Sequence, residues 1–171
     1  MVASTRTVQL WIAGVAGAYL LWRAANKPRV ALRPRRDQIT ALFDAAPAEG
    51  PVTMLNLIKF RSRAVYEDNR ATELTGAEAY DLYELMNSKL VESCGGKVIF
   101  SGDARTLVIG YGSEAEFDRV LVVQFPTMTA YNEVAGKCID AQKATGFQDH
   151  QFAAIAHQQL IRVDPKNASK E

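Results

Sequence analysis

Residues 52–60 read VTMLNLIKF, a nearly continuous apolar run of strand length. Such a run is typical of a central strand that is buried on both faces. A second run of the same kind, RVLVVQF, occupies residues 119–125. The two runs therefore predict two central strands around which the rest of a domain is arranged.

Helix signals follow each of these strands. Thr75 and Glu78 have the T-x-x-E spacing of a capping box, and apolar residues at helical spacing continue until Gly95. Thr127 opens a second amphipathic segment, which reaches Gly146. A glycine at the end of a helix suits the left-handed conformation that closes it. We predict one helix after each central strand.

Further segments complete the pattern. Asp37 is expected to cap a short helix over residues 38–46, and residues 61–75 form a long polar loop. Residues 97–110 predict a strand interrupted near Gly102, and residues 157–163 predict the last strand. The order β-α-β-β-α-β indicates an α+β domain of the ferredoxin-like type, with both helices on one face of the sheet. The other face is too apolar for water, which predicts a homodimer.

The N-terminal part differs in charge from the rest of the chain. Residues 1–36 carry seven basic side chains and no acidic one, although the whole chain has a formal charge of only +1. Residues 7–22 read TVQLWIAGVAGAYLLW, close to the ~20 apolar residues of a membrane span. We predict an N-terminal hydrophobic helix that anchors the protein, with the C-terminal domain in the cytoplasm because the basic residues follow the run.

A cleaved signal peptide and a buried or interfacial helix remain alternative interpretations of this run. If the anchor is correct, residues 7–25 lie in lipid and the basic residues of segment 23–36 face anionic headgroups. The predicted organisation is an anchor over residues 1–25, a basic linker with a short helix over 26–50, the α+β domain over 51–165 and a tail over 166–171. Because the basic segment lacks interleaved aromatic residues, we do not predict nucleic-acid binding.

The strand with the letters M-L-N-L-x-x-F and the pair of segments CGGKVIF and TLVIG resemble a bacterial family, the domain of unknown function numbered thirteen-thirty. The resemblance extends over about residues 50–163. It implies a ferredoxin-like protomer in a dimeric α+β barrel, a superfamily that includes cofactor-free oxygenases, heme-degrading enzymes and isomerases. It implies little about chemistry, because an activity for the family is not established.

Candidate ligand-binding residues are polar side chains in apolar surroundings. Asn56 shares a strand face with apolar neighbours, and Tyr83 lies on the inward stripe of the first long helix, one turn from Tyr80. Lys59 and Arg61 end the first strand and are able to hold a carboxylate. Each residue also has a structural interpretation: an internally bonded amide, packed tyrosines, and solvated cations.

No cofactor or metal site is predicted. His150 and His157 are seven residues apart and have no third ligand at a diagnostic spacing, and no phosphate loop or nucleophile motif occurs. Two functions remain open. The first is a membrane-anchored dimer that binds, and is able to transform, a small hydrophobic molecule. The second is a non-catalytic accessory subunit of a membrane complex. The sequence does not decide whether the protein is an enzyme.

Overall fold

A computed structural model describes residues 33–45, 49–112 and 114–164. The helices and strands are, in chain order, α1 (Arg36–Ala45), β1 (Val52–Phe60), α2 (Gly76–Ser93), β2 (Lys97–Asp103), β3 (Arg119–Phe125), α3 (Met128–Thr145), α4 (Gln148–Ala154) and β4 (Ile155–Val163). The bounds predicted for β1 and β3 are confirmed.

The four strands form one antiparallel sheet in the order β2-β3-β1-β4. This α+β architecture is consistent with the predicted ferredoxin-like type, in which each long helix connects two strands that lie on either side of a third. Asn56, in the middle of β1, faces Leu121 of β3 on one side and Leu160 of β4 on the other. The predicted central position of β1 and β3 is therefore correct.

The predicted ends of α2 are confirmed. The Thr75 hydroxyl accepts a bond from the Glu78 backbone N–H at 3.2 Å, and the Glu78 carboxylate accepts one from the Thr75 N–H at 2.8 Å. Cys94 ends the helix, and Gly95 follows with a φ of +73°. Both ends of this helix are thus specified locally, by a reciprocal cap and by a residue that tolerates the left-handed region.

The core lies between the helices and one face of the sheet. Val52, Met54 and Ile58 point into it and are at most 4% exposed. Leu55 and Leu57 on the opposite face of β1 are only partly buried within the single chain, so burial of β1 on both faces depends on the predicted second copy and stays a prediction. No helix of the described residues packs on that face, since both long connections cross the same side of the sheet.

The apolar residues on this second face come from all four strands. The face, called here the open sheet face, is formed by Leu55, Leu57, Phe100, Val120, Val122, Ile161 and Val163. Phe100 is 55% exposed and Ile161 is 40% exposed. Side chains of this kind in contact with water favour association with another apolar surface.

The strand predicted over residues 97–110 ends earlier, at Asp103. Its register shifts between Val98 and Phe100 rather than at Gly102. The backbone N–H of Ala104 then donates to the carbonyl of Asp118, and the chain leaves the sheet between these two residues. The apolar letters that suggested a longer strand lie in the connecting loop, where Val108 is 86% and Ile109 92% exposed.

Two other expectations need correction. The helix predicted over residues 38–46 begins at Arg36, so Asp37 lies in its first turn and pairs with Arg35 at 2.8 Å. The segment before the last strand forms α4, which was not predicted, and β4 begins at Ile155 instead of His157. The letters AAIA at this junction suit a helix as well as a strand, so their pattern alone does not place the boundary.

The predicted anchor, residues 7–25, lies outside the described residues, as do residues 26–32 and 46–48 of the segment predicted as a basic linker with a short helix, and the tail over 166–171. Among the helices that the structure describes, none has the length and apolar composition needed to cross a membrane. The predictions of an N-terminal membrane helix and of a cytoplasmic C-terminal domain stay predictions.

Candidate functional site

The predicted tyrosines of α2 belong to a row of packed rings, called here the inner aromatic cluster, formed by Phe60, Tyr80, Tyr83 and Phe147. Tyr80 lies 5.4 Å from Phe60 and 5.3 Å from Tyr83, measured between ring centroids. Tyr83 stacks on Phe147 at 5.5 Å with an angle of 4° between the ring planes. Tyr80 is 1% and Tyr83 7% exposed, so both rings contribute to the core.

Asn56 lies beneath this cluster on the sheet. Its Oδ1 atom is buried and has no hydrogen-bond partner among the described residues. Burial raises the pKa of Tyr80, and the neighbouring Asn56 amide only partly opposes this effect. Burial likewise raises the pKa of Tyr83. Both hydroxyls are therefore protonated at neutral pH and are hydrogen-bond donors.

Arg119 closes one end of the inner aromatic cluster. Its guanidinium contacts three carboxylates, those of Asp81 at 2.6 Å, Asp103 at 2.8 Å and Glu84 at 3.0 Å. Its central carbon also lies 5.1 Å from the centroid of the Phe60 ring. Burial alone would lower the pKa of Arg119, but the hydrogen bonds that its guanidinium donates to Asp81 and Asp103 raise that pKa well above its ordinary value. The cation therefore joins α2 to the sheet.

The two predicted cations are not part of this cluster. Lys59 pairs with Asp118 at 2.7 Å, so a carboxylate of the chain itself takes the position expected for a ligand. Arg61 uses its backbone to bond Ala154 and Gly76, and its Nε is buried without a partner among the described residues. The structure thus brings together Asn56, Tyr80 and Tyr83, and it leaves Lys59 and Arg61 apart from them.

A cleft lies elsewhere, where the loop over residues 61–75 meets α4. It has a volume of about 220 Å³ and is lined by Tyr66, Glu67, Asp68, Asp149 and Phe152. We call it the Tyr66 cleft. Three of the five lining residues are acidic and two are aromatic, so the cleft combines charge with flat apolar surface.

The wall of the Tyr66 cleft holds a hydrogen-bonded pair of titratable groups. The Tyr66 hydroxyl lies 2.7 Å from Nδ1 of His150, although the two residues are 84 positions apart in the chain. Burial lowers the pKa of His150, and the positive charge of Arg70 lowers it further, against a smaller opposite effect of Asp149. The imidazole is therefore neutral at pH 7, and it can both accept and donate a hydrogen bond.

Backbone bonds hold the two halves of this pair together. The N–H of Val65 donates to the carbonyl of Ala153 at 3.0 Å, next to the bond from the Arg61 N–H to Ala154 at 2.8 Å. Tyr66 is only 4% exposed despite its position in a loop. The loop is thus fastened to the end of α4, and this connection brings Tyr66 to His150.

Charged groups surround the pair. The guanidinium of Arg70 lies 3.8 Å from the centroid of the Tyr66 ring and pairs with Asp68 at 3.2 Å. Between them, Asn69 has a φ of +59°, a left-handed conformation that asparagine tolerates better than most residues. Asp149 accepts a hydrogen bond from the Gln142 amide at 2.8 Å. The cleft is therefore negatively charged, with one cation over its tyrosine.

Sequence reasoning missed this site. The spacing in the sequence relates His150 to His157, but His157 stacks on Phe117 instead. In the part of the chain that the structure describes, no group of three His, Cys, Asp or Glu residues is arranged to hold a metal ion. The sequence shows only that Tyr66 is an aromatic residue in a polar loop, and its partner His150 is too distant in the chain for spacing to indicate the contact.

Comparisons place the chain beside two solved structures. It is similar to the RPA0582 protein of Rhodopseudomonas palustris, described as a protein of unknown function, at 30% identity over 80% of this chain and 97% of that one, with a TM-score of 0.64. It is similar to methylated RPA0582 at 31% identity over 82% of this chain and 98% of that one, with a TM-score of 0.67. No protein-family model and no curated protein matches the chain.

Proposed function

We propose a function for the Tyr66 cleft of this chain, which belongs to the family of the RPA0582 protein and matches nearly all of that protein's length. The protein binds a small organic molecule in the Tyr66 cleft, as one subunit of a membrane-anchored homodimer. The observation that carries this proposal is the Tyr66–His150 hydrogen bond of 2.7 Å in the wall of a cleft.

This pair suits ligand binding better than the inner aromatic cluster does. The described rings of the cluster are packed against one another, whereas the cleft of about 220 Å³ offers room for a small molecule. A hydroxyl joined to a neutral imidazole can act as donor or acceptor, and it can pass a proton to or from a bound group. The sequence-based prediction that Asn56 and Tyr83 orient the ligand stays a prediction. The Asn56→Leu variant distinguishes it from binding in the Tyr66 cleft.

The homodimer is supported by the open sheet face. Two copies related by a two-fold axis would pack their open sheet faces against each other, so that each apolar face contacts the identical face of the other copy. Burial of apolar area contributes roughly 25 cal/mol per Å², which favours closure of the face by the second subunit. The resemblance to dimeric α+β barrels predicts the same arrangement, with the two sheets back to back.

The membrane anchor rests on the sequence of residues 7–25 and on the basic residues that follow them. In this proposal the anchor keeps the Tyr66 cleft of a cytoplasmic domain near the lipid surface. Washing membranes with alkaline carbonate tests it. Retention of the full-length chain in the pellet is expected, and release of intact protein would contradict a spanning helix.

A second candidate function is a non-catalytic accessory subunit of a membrane complex. It is favoured by the loop between β2 and β3, where Val108, Ile109 and Tyr111 are all more than 80% exposed. In this case the loop contacts a membrane protein, and the cleft holds no ligand. This second function would be favoured if the purified protein carries a membrane-protein partner in stoichiometric amount and holds no small molecule.

Native mass spectrometry of full-length protein extracted in detergent tests the main proposal. We expect a dimer that retains a small molecule, and loss of that molecule in Tyr66→Phe and His150→Gln without loss of the dimer. His157→Gln is the matched control, because this histidine lies outside the cleft, and it should retain the molecule.

Two further variants separate the parts of the proposal. Asn56→Leu keeps the ligand if the Tyr66 cleft is the site, and loses it if the inner aromatic cluster is the site. Val122→Arg places a charge on the open sheet face and is expected to give monomers. A Tyr66→Phe protein that retains the molecule would contradict binding in the Tyr66 cleft. A Val122→Arg protein that stays dimeric would contradict a dimer formed through the open sheet face.

A further inference from the structure

The charge of the Tyr66 cleft indicates what it binds. Glu67, Asp68 and Asp149 all line it, and among the described residues Arg70 is the cation that pairs with one of these carboxylates, that of Asp68. His150 adds no charge at neutral pH, because its pKa is lowered by burial and by Arg70. A site with more carboxylates than cations attracts positive ligands and repels anions.

The aromatic rings of the cleft already carry positive groups. The guanidinium of Arg70 lies 3.8 Å from the centroid of Tyr66, and that of Arg33 lies 5.6 Å from the centroid of Phe152. A planar cation over an aromatic face is attracted by the negative charge of the ring surface. Both rings that line the cleft thus have a guanidinium from the chain itself on them.

We propose that the Tyr66 cleft selects a small organic cation, an amine or a guanidine, and that Arg33 competes with this ligand for Phe152. The proposal rests on the proposed function, since it names the ligand class of the same site. The cation lies over Phe152 beside Asp149 and Glu67, and the polar remainder of the ligand bonds to Tyr66 and His150.

The competition by Arg33 connects the cleft to the basic segment. Arg33 is followed by Arg35 and Arg36, and these residues belong to the segment expected to face anionic lipid headgroups. Lipid that attracts this segment draws Arg33 from Phe152 and leaves the ring open to a ligand. The cleft is therefore more available on an anionic surface than in its absence.

The experiment uses full-length protein in a nonionic detergent and a pair of probes of nearly equal shape. Butylguanidinium carries a positive charge, whereas butylurea is neutral. Calorimetry measures their affinities, and the nuclear magnetic resonance signals of the His150 ring report whether they enter the cleft. We expect butylguanidinium to shift these signals and to bind about tenfold or more tightly than butylurea.

Variants test the contribution of each group. Asp149→Asn is expected to lower the affinity for butylguanidinium about tenfold, because the substitution removes a negative charge and keeps the shape of the side chain. Arg33→Ala is expected to raise the affinity for butylguanidinium, because this substitution removes the guanidinium that competes for Phe152. Arg36→Ala is the matched control with the same loss of charge three residues away, and it should leave the affinity unchanged.

The outcomes distinguish this inference from the proposed function. If butylurea shifts the His150 signals at the same concentration as butylguanidinium, the selection for cations is wrong while the cleft remains a binding site. If Arg33→Ala weakens binding or has the same affinity as the Arg36→Ala control, the competition is wrong. If neither probe enters and native mass spectrometry finds no retained molecule, the proposed function itself fails.

Discussion

The inner aromatic cluster and the Tyr66 cleft both contain tyrosines that are almost fully buried, yet different structures hold them. In the cluster, regular elements and stacked rings fix each side chain, and Arg119 closes the end with three carboxylates. In the cleft, a loop and the short helix α4 fix a single tyrosine against a histidine. Burial of a tyrosine alone therefore does not distinguish a ligand site from a packed core. The hydrogen-bonded titratable pair beside a cleft is what supports the proposed site.

Gly76 supports both regions, and its replacement is expected to have the largest effect. A Cβ atom there would lie 2.4 Å from the carbonyl oxygen of Arg61 and 2.6 Å from that of Ala154. Because both atoms are backbone, neither can rotate away, and Gly76→Ala should cost about 4 kcal/mol or more of the free energy of unfolding. Urea denaturation followed by circular dichroism measures this change.

Gly136 is the matched control for this substitution. It lies within α3, and a Cβ atom there meets nothing within 4 Å. Gly136→Ala is expected to stabilise the protein by up to about 1 kcal/mol, because alanine is the better helix former. Equal effects of the two substitutions would contradict the shared supporting role of Gly76.

Arg119→Met tests the cluster alone. The Arg119 side chain is 12% exposed and contacts three carboxylates, so its loss leaves these negative charges without their common partner. We expect a loss of about 3 kcal/mol in the free energy of unfolding, while the His150 ring signals stay in place. Arg105→Met is the control, because Arg105 pairs with Asp103 from an 83% exposed side chain and should cost less than about 0.5 kcal/mol. A large change at His150 in Arg119→Met would show that the two regions are coupled.

His150 tests the cleft alone and has the smallest expected effect on stability. Its pKa is lowered in the folded protein by burial and by Arg70, compared with about 6.5 for an unfolded histidine. Between these two values the unfolded chain binds more protons, so stability is greatest above pH ~6.5 and falls as the pH is lowered through this window. Urea denaturation at several pH values should show a smaller fall in His150→Gln than in the unchanged protein. The same slope in both proteins would contradict this assignment.

Much of the fold could be predicted because its signals are local. The apolar run of β1 and the capping box of Thr75 and Glu78 specify their elements within a few residues, and both were confirmed. The letters TLVIG after Asp103 misled, because an apolar run can also lie on a surface loop. Helix α4 was missed because its seven residues are too few for a helical period to be recognised.

The Tyr66 cleft could not be predicted, because its geometry depends on a long-range contact. The sequence places Tyr66 in a polar loop and His150 before the last strand, and no spacing rule connects residues 84 positions apart. The backbone bonds from Val65 to Ala153 and from Arg61 to Ala154 bring these segments together. Asn56 and Tyr83 could be predicted as candidates because a sequence shows polar groups within apolar runs, whereas it does not show this loop contact.

The fastening of the loop to α4 also has an evolutionary consequence. The bonds from Val65 and Arg61 to Ala153 and Ala154 involve main-chain atoms alone, so they do not depend on which side chains surround the cleft. Exchange of the acidic residues at its rim would change the charge of the cleft while Tyr66 and His150 kept their spacing. We therefore expect related chains to differ in rim charge and to keep the same hydrogen-bonded pair.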